Sequence, residues 1–185
     1  ISEVLAARPD DADARAVNAQ ILASKGEHAK AAIEAAKVLE TAPGHVDASN
    51  LAGALLLQQN DSKKALALLE KSIAANPSSV EIRGTYNAVL ARVGDTAKLE
   101  SNLKALVELA PKRFEHRAGL ALFYAQSQQS DKAEQVLREA IAANKDEDPR
   151  YIALIDLITS RQGVDAAIKE LQGFITARPK AHPLR

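Results

Sequence analysis

The side chains best suited to acid–base or metal chemistry are few and far apart along the chain. Its four histidines are His28, His45, His116 and His182. The helices predicted below place His28 and His45 at opposite ends of one helix of roughly 13 residues, about 20 Å apart. A serine or aspartate nucleophile needs a base beside it, and no histidine is placed to act as one. We therefore expect surface histidines, no catalytic residue and no enzymatic activity.

Cofactor and metal sites are equally poorly supported by the sequence. The chain contains no cysteine, which excludes a disulfide, a thiol nucleophile and a zinc site of the cysteine type. The sequence also lacks a glycine-rich loop of the kind that binds phosphates. We expect neither a cofactor nor a metal.

The charges balance, with 24 lysines and arginines against 24 aspartates and glutamates. They form no basic stripe, so binding to nucleic acid, which depends on neutralising phosphates, is not expected. An acidic residue recurs every 34 residues along the chain, as Asp13, Asp47, Glu81 and Glu115. These acids could form a rim that attracts a basic partner, or could lie in the first turns of successive helices, where the helix dipole favours them. We favour the second interpretation.

Several prolines recur at the same 34-residue interval. Pro9, Pro43, Pro77 and Pro111 follow one another at this spacing, and two further steps reach Lys145 and Pro179. A fixed period in this range is the signature of a protein built from stacked copies of one motif. The elements that position any functional side chain must therefore be those of a 34-residue repeat.

Residues 46–79 form the clearest copy of this repeat. Small and apolar residues recur in each half at a spacing of i, i+3, i+4 and i+7, which marks one face of an α-helix. They are Ser49, Ala52, Gly53 and Leu56 in the first half, and Ala65, Leu69, Ser72 and Ile73 in the second. One pair of helices cannot bury both faces alone, so it must stack on neighbouring copies.

A turn and a stop signal delimit the two helices. Asn60 can adopt the left-handed conformation that ends a helix, and Asp61 or Ser62 can cap the next one. Pro77 then ends the second helix. Each repeat is thus predicted to be a helical hairpin.

Several residues of this repeat resemble the tetratricopeptide repeat (TPR): Gly53, Leu56, the turn at Asn60, Ala65 and Pro77. The resemblance covers the chain as a partial repeat at 1–11, full repeats at 12–45, 46–79, 80–113, 114–147 and 148–181, and a tail at 182–185. It implies an all-α fold, a right-handed α-solenoid superhelix of tandem 34-residue helix–turn–helix repeats. We expect a single domain over 1–185, cut at both ends from a longer array.

The resemblance also implies where a partner binds, because TPR domains hold ligands on the first helices of their repeats, which line a concave groove. Carried over to this chain, the partner-binding positions are Asn50, Ala54, Leu57, Gln58, Gly84, Ala88, Arg92, Leu122 and Gln126, accompanied by Ala91, Ala118 and Ala125. Most of these residues are small or apolar, which suits a helix or extended peptide with small apolar anchors. One TPR subfamily grips C-terminal carboxylates with lysines and asparagines. Only Asn50 and Arg92 are available for that clamp, so it is not expected here.

The resulting prediction is a non-catalytic scaffold that binds a protein or peptide in its groove. The alternative is a structural spacer or self-assembly module of a longer repeat protein. The alanine- and glutamine-rich style resembles bacterial arrays, including envelope lipoproteins associated with exopolysaccharide export. A bacterial envelope or export assembly is therefore slightly favoured over the cytoplasm. The longest uncharged apolar run, 118–125, is shorter than the roughly 20 residues that a bilayer needs, so no transmembrane segment is expected.

The third repeat departs from the pattern, because Asn87 and Leu99 stand where small residues let paired helices approach. We expect these larger side chains to change the superhelical twist around 84–106. The Asn87 amide must also find a hydrogen-bond partner, since an unsatisfied buried amide costs about 1–3 kcal/mol.

The fifth repeat departs at its turn and at its end. Gly163 lies one place later in the repeat than Gly94 does in the third, which predicts a different turn. Its second helix carries Ile168, Leu171 and Ile175 on a face that a further repeat would normally cover. We expect this face to mediate end-to-end self-association or to be covered by residues 183–184 of the tail.

Overall fold

The computed structural model of the chain describes residues 1–144 and 148–177. The regular structure of these residues consists of eleven α-helices and no strand. In chain order the helices are α1 (Ser2–Ala7), α2 (Ala12–Ser24), α3 (His28–Thr41), α4 (Val46–Gln58), α5 (Ser62–Ala75), α6 (Val80–Val93), α7 (Thr96–Leu109), α8 (Phe114–Gln126), α9 (Ser130–Ala143), α10 (Asp148–Gln162) and α11 (Val164–Ala177). Lys145, Pro179 and the tail at 182–185, which entered the sequence-based predictions, lie outside the described residues.

The helices from α2 onward follow the period of the sequence. The first helices of successive repeats begin one repeat length apart, at Ala12, Val46, Val80, Phe114 and Asp148. Each is followed by a second helix, and α2 packs on α3, α4 on α5, α8 on α9, and α10 on α11. The predicted fold class, all-α and built of tandem helical hairpins, is confirmed.

The chain divides into two compact parts, an N-terminal unit of Ile1–Asn102 and a C-terminal unit of Leu103–Arg185. Hairpins stack in order inside each unit. In the N-terminal unit α3 packs against α4 and α5 against α6, and in the C-terminal unit α9 packs against α10. The single domain expected over 1–185 stays a prediction.

Left-handed residues join the helices of the first four hairpins, at the same place in each repeat. They are Gly26, Asn60, Gly94 and Gln128, with φ angles of 80°, 60°, 74° and 58°. A positive φ reverses the chain directly after a helix and is least costly for glycine and asparagine. The prediction for Asn60 is confirmed, and Asp61 caps α5, since its Oδ1 accepts a hydrogen bond from the Lys64 amide at 3.2 Å.

The fifth turn differs, as its sequence predicts. Gly163 has a φ of 89° and lies one position later in its repeat than the other left-handed residues. As a result α10 extends to 15 residues, whereas the other first helices have 13 or 14. Gly163 alone then separates α10 from α11.

Small residues let the two helices of a hairpin approach each other. The buried face of the second helix begins with an alanine in four repeats, namely Ala31, Ala65, Ala133 and Ala167, each at most 5% exposed. Leucines follow one turn later, and both Leu69 and Leu137 are buried. An alanine loses no side-chain entropy on burial, so the close contact costs little. In the third repeat Leu99 takes the alanine position, and it packs half-buried against the core of the N-terminal unit.

One buried position was missed by the sequence pattern. The third residue of several first helices is buried, as Ala48, Ile82 and Arg150 show. Arg150 is only 4% exposed, and its Nε donates a hydrogen bond to the carbonyl oxygen of Ala140, in the preceding helix, at 3.0 Å. Its guanidinium carbon also lies 5.2 Å from the centre of the Phe114 ring. A pattern of apolar residues assigns an arginine to the surface, so the burial of Arg150 is visible only in the structure.

The third hairpin contains a buried polar network instead of a purely apolar contact. Asn102 is 4% exposed, and its Nδ2 donates to the Asn87 Oδ1 at 2.7 Å and to the Arg83 carbonyl oxygen at 2.9 Å. The Asn102 Oδ1 in turn accepts from Nη1 of Arg83 at 2.8 Å. The Asn87 amide therefore has the partner that its position requires. The predicted change of twist around this hairpin stays a prediction.

Polar side chains also link some neighbouring hairpins, in the following cases across a sequence separation of 32 residues. In the N-terminal unit His45 contacts Asp13 at 3.0 Å, and the Asn76 Nδ2 donates to the Gly44 carbonyl oxygen at 3.1 Å. In the C-terminal unit Arg138 binds Glu170 at 2.7 Å. Bonds of this kind fix the register between neighbouring hairpins.

Candidate partner-binding surface

The three histidines that the structure describes lie in different surroundings. His45 precedes α4, and its Nδ1 accepts a hydrogen bond from the Ala48 amide at 3.4 Å. His28 is exposed at the start of α3. His116 is half-buried in α8, where burial, together with the nearby Arg113, lowers its pKa below the ordinary value of 6.5. Within residues 1–144 and 148–177, no three histidine, aspartate or glutamate side chains gather as metal ligands would.

The regularly spaced acids lie in the first turns of first helices. Asp13, Asp47, Glu81 and Glu115 are all exposed and stand at the starts of α2, α4, α6 and α8. This is the placement that the helix dipole stabilises, so helix electrostatics account for the series without a basic partner.

The candidate residues of the N-terminal unit lie on α4 and α6, and most of their side chains are exposed. Ala54, Gln58, Gly84, Ala88 and Arg92 are exposed. The remaining two, Asn50 and Leu57, are half-buried.

The two polar candidates most able to orient a ligand in this unit already have partners. The Asn50 Oδ1 accepts a hydrogen bond from the Thr85 hydroxyl at 2.8 Å, and Nη2 of Arg92 donates to the Asn60 Oδ1 at 2.5 Å. Each bond joins α4 or its turn to α6. A ligand could still use the Nδ2 of Asn50 and the other N–H groups of Arg92, but the existing bonds restrict where those donors can lie.

In the C-terminal unit an open cleft of about 310 Å³ lies between α8 and α10. Its lining residues are Ala118, Ala121, Leu122, Ala125, Leu137, Ala153, Asp156, Leu157 and Ser160. Ala121 and Leu137 are buried, whereas Leu122 is 58% exposed. The candidate Gln126 is exposed on the same helix but does not line the cleft. The cleft therefore combines an apolar lining with a large apolar side chain that water reaches.

A pair of substitutions between repeats accounts for the space in this cleft. Ala118 and Ala153 occupy the repeat positions that Asn50 and Thr85 occupy in the N-terminal unit, two repeats earlier. The Asn50–Thr85 pair fills its space with a hydrogen bond, and the Thr85 methyl carbon would lie 3.1 Å from a Cβ built on Gly53. Two alanines have neither the volume nor the polar atoms to do this.

Asp156 brings a charge to the cleft. It is exposed on α10, and among the described residues its carboxylate has no hydrogen-bond or ion-pair partner. The closest basic residue along α10, Arg161, is instead paired with Asp131 and Glu134 of α9. The carboxylate of Asp156 is therefore available to a ligand.

The groove positions of the family were assigned only as far as the fourth repeat, so the residues on the α10 side of the cleft were not predicted. Asp156 and Ser160 stand at the same repeat positions as Leu122 and Gln126, one repeat later. Applying the same positions to the fifth repeat would have found both residues. The partnership of Ala118 with Ala153 could not be found in this way, since Ala153 lies outside the positions carried over.

None of the helices in the described part of the chain is both long enough and apolar enough to span a bilayer.

Solved structures with the same fold cover nearly all of the chain. YrrB, described as a TPR protein with an unusual peptide-binding site, is 19% identical, with a TM-score of 0.65 over 99% of this chain and 94% of its own. A tetratricopeptide repeat protein from Parabacteroides merdae is 16% identical, with a TM-score of 0.68 over 94% of this chain and 69% of its own. MamA from Desulfovibrio magneticus is also 16% identical, with a TM-score of 0.64 over 92% and 97% of the two chains. These likenesses fit an α-solenoid fold.

The sequence itself matches profiles of the same family, although no curated protein matches it. One profile described as "Tetratricopeptide repeat" matches residues 1–46 and 35–80, and a second with the same description matches residues 90–158. Together they span both units, and each hairpin that they cover has the helix boundaries that the repeat predicts. The chain belongs to the tetratricopeptide repeat family, whose members serve as protein–protein interaction scaffolds.

Proposed function

We propose that this chain is a non-catalytic scaffold that binds a protein or peptide on the faces of its first helices. The observation that carries the proposal is the cleft between α8 and α10, in which Leu122 is 58% exposed beside an apolar lining. Leaving a leucine in water forfeits most of the about 1.5–3 kcal/mol that its burial would contribute. A bound apolar side chain would recover part of that free energy.

The dimensions of the cleft suit one anchoring side chain rather than a whole small molecule. Its volume of about 310 Å³ is at the lower end of the range of roughly 300–1,000 Å³ for ligand pockets. Peptide interfaces commonly depend on a few apolar or aromatic side chains inserted into such pockets. The alanines at 118, 125 and 153 keep the walls low enough for the backbone of a peptide to approach.

The N-terminal unit would contribute a shallower surface of the same type. Ala54 and Ala88 are exposed on successive first helices, and their short side chains permit close contact with a helix or an extended strand. Asn50, Leu57, Gln58, Gly84 and Arg92 complete the proposed surface on this unit, while Leu122 and Gln126 belong to the other.

A structural spacer or self-assembly module is the second candidate, and one observation favours it. Val164 and Ile168 are 61% and 47% exposed on α11, and Leu171 and Ile175 are half-buried on the same helix. Apolar surface of this kind commonly marks an interface. A further repeat or a second copy of the chain would cover it.

Crosslinked capture from source cells separates the two candidates. The baits are the wild-type chain, Leu122→Glu and Ala88→Arg, with Lys71→Glu on the exposed face of α5 as the control. The scaffold proposal expects the same proteins on the wild type and the control, and their loss from the two first-helix variants. A fifth variant, Ile168→Lys on α11, tests the spacer: if all four baits capture the same proteins and Ile168→Lys alone loses self-association in sedimentation velocity, the spacer is correct.

For the cellular setting we favour a bacterial envelope or export assembly. The support is the alanine- and glutamine-rich composition of the repeats. Fractionation of source cells, with the full-length protein detected by antibody, tests this setting, and recovery only with cytoplasmic markers would reject it.

A further inference from the structure

The cleft between α8 and α10 has an asymmetric chemistry. Leu122 and the alanines make the α8 side apolar, and Asp156 places a carboxylate on the α10 side. A ligand that fits both sides needs an apolar group and a cation close together.

We infer that this cleft takes a peptide segment in which an apolar side chain lies next to a lysine or arginine. The inference rests on the proposed function and makes it more specific. The apolar side chain would contact Leu122, Ala125 and Leu157, and the cation would pair with the carboxylate of Asp156.

The three arginines on the two helices that form the cleft are bound elsewhere. Arg117 on α8 donates to the carbonyl oxygen of Pro111. On α10, Arg150 is buried against Ala140, and Arg161 pairs with residues of α9. A ligand cation would therefore meet the Asp156 carboxylate without displacing an internal partner.

An organic cation fits this site better than a metal ion. A single carboxylate supplies at most two of the six to eight oxygen ligands that calcium takes. A guanidinium can donate two parallel hydrogen bonds to the same carboxylate, while its stem or a neighbouring apolar side chain covers Leu122. An acidic peptide would face repulsion from Asp156 and from Glu115, which is exposed in the first turn of α8.

The corresponding surface of the N-terminal unit, on α4 and α6, lacks this combination of apolar and acidic side chains. Ala88 and Arg92 occupy there the repeat positions that Asp156 and Ser160 occupy in α10. The preference for a basic segment therefore belongs to the C-terminal unit and is not a property of every repeat.

Selection from a displayed library of random linear peptides tests the inference on the full 185-residue chain. Peptides are selected on the wild type and counter-selected on Leu122→Glu, so that only binders of the cleft survive. Their affinities are then measured on the wild type, Asp156→Asn, Asp156→Lys and the control Glu108→Lys. Glu108 is an exposed acid on α7 that does not line the cleft, and circular dichroism checks that each variant is folded.

We expect selected peptides to carry an apolar residue with a lysine or arginine within a few positions. Their affinity should fall about two- to fivefold for Asp156→Asn, as for a solvent-exposed ion pair, and about tenfold for Asp156→Lys, with Glu108→Lys unchanged. Replacing the peptide cation by glutamate should restore binding to Asp156→Lys.

Two results would overturn the inference, and they differ in what they say of the proposed function. Peptides that need Leu122 but carry no basic residue, or bind Asp156→Lys as well as the wild type, would reject the basic preference and leave the scaffold proposal standing. If no peptide distinguishes the wild type from Leu122→Glu, the inference fails, and the proposed function loses the observation that carries it.

Discussion

The hydroxyl of Thr85 donates a 2.8 Å hydrogen bond to the Asn50 side chain, and this bond joins the first helices of two successive hairpins. Their counterparts two repeats later are Ala118 and Ala153, which line the cleft of the C-terminal unit. The same backbone arrangement thus carries a filled, polar contact in one unit and an open, apolar one in the other.

Transferring the polar pair should close the cleft. The double variant Ala118→Asn/Ala153→Thr is expected to weaken the binding of cleft-selected peptides at least about tenfold, because the added side chains fill the space that an anchor needs. Ala121 occupies the repeat position of Gly53, so the added threonine methyl should overpack against it, and the free energy of unfolding should fall by about 1–3 kcal/mol, less the contribution of the new hydrogen bond. Calorimetric titration and urea unfolding measure the two quantities. Unchanged peptide affinity would show that the cleft is not the binding site.

Ala88→Arg tests the surface of the N-terminal unit. The side chain at this position is exposed, so the thermal midpoint should stay near that of the wild type, with a stability change within about 0.5 kcal/mol. Partner capture should be lost, because a long charged side chain would obstruct the approach of a peptide backbone. The comparison is with Lys71→Glu, which changes a charge on α5. A variant that folds and captures the partner as well as this control would exclude the surface around Ala88.

Two glycines on first helices should respond in opposite ways to alanine. A Cβ on Gly53 would lie 3.1 Å from Thr85 and 3.2 Å from the buried Leu69, so the overpacking cost of about 1–3 kcal/mol should exceed the helix gain of roughly 0.5–1 kcal/mol, and Gly53→Ala should destabilise. A Cβ on Gly84 would meet no atom within 4 Å, so Gly84→Ala should stabilise α6 by roughly 0.5–1 kcal/mol. Urea unfolding of both variants measures this difference, and equal effects would contradict it.

Glu34 should make stability depend on pH. Hydrogen bonding from Lys37, and then from Arg15, lowers the pKa of Glu34 below its ordinary value of 4.5. Because the folded-state pKa is the lower one, the stabilisation is present above about pH 4.5 and is lost as the pH falls through the folded pKa. Glu34→Gln should therefore cost about 0.5–1 kcal/mol at neutral pH and nearly nothing in acid. Urea unfolding at both pH values, with Glu108→Gln as the control, measures this, and a difference that persists in acid would disprove it.

The exposed end of α11 should govern self-association. If copies of the chain meet through this helix, Ile168→Lys should shift the protein toward monomer in sedimentation velocity, since a charge would have to be buried in the interface. Ile33→Lys is the matched control, because Ile33 is also an exposed isoleucine on a second helix. A wild type that stays monomeric at every concentration would exclude this interface.

Periodicity predicted most of the fold because the repeat determines helix, turn and core together. It placed the left-handed residue at Asn60 and the displaced turn at Gly163, since asparagine and glycine adopt a positive φ at the least cost. It did not predict that Arg150 is buried, because a guanidinium enters a core only where particular acceptors lie within reach.

The candidate surface was less predictable, because its chemistry also depends on which side chains lie within reach of one another. Positions carried over from the family include Asn50 and Arg92 as groups that could orient a ligand, but a sequence does not reveal that each has an internal hydrogen-bond partner. The cleft depends on Ala118 and Ala153 being opposite each other, which is a relation between residues on different helices. A pattern of single repeat positions does not show which residues on neighbouring helices face each other.

The bonds that join neighbouring hairpins at a separation of 32 residues bear on how such a chain can change length in evolution. Asp13 pairs with His45, and Gly44 with Asn76, so each hairpin recognises only the one beside it. These pairs occupy different repeat positions, so unequal recombination that removes one whole repeat keeps the spacing of the helices but brings unmatched side chains to the new junction. An insertion or deletion of another length would also break the regular spacing of the first helices, so whole-repeat changes should disturb such a chain least.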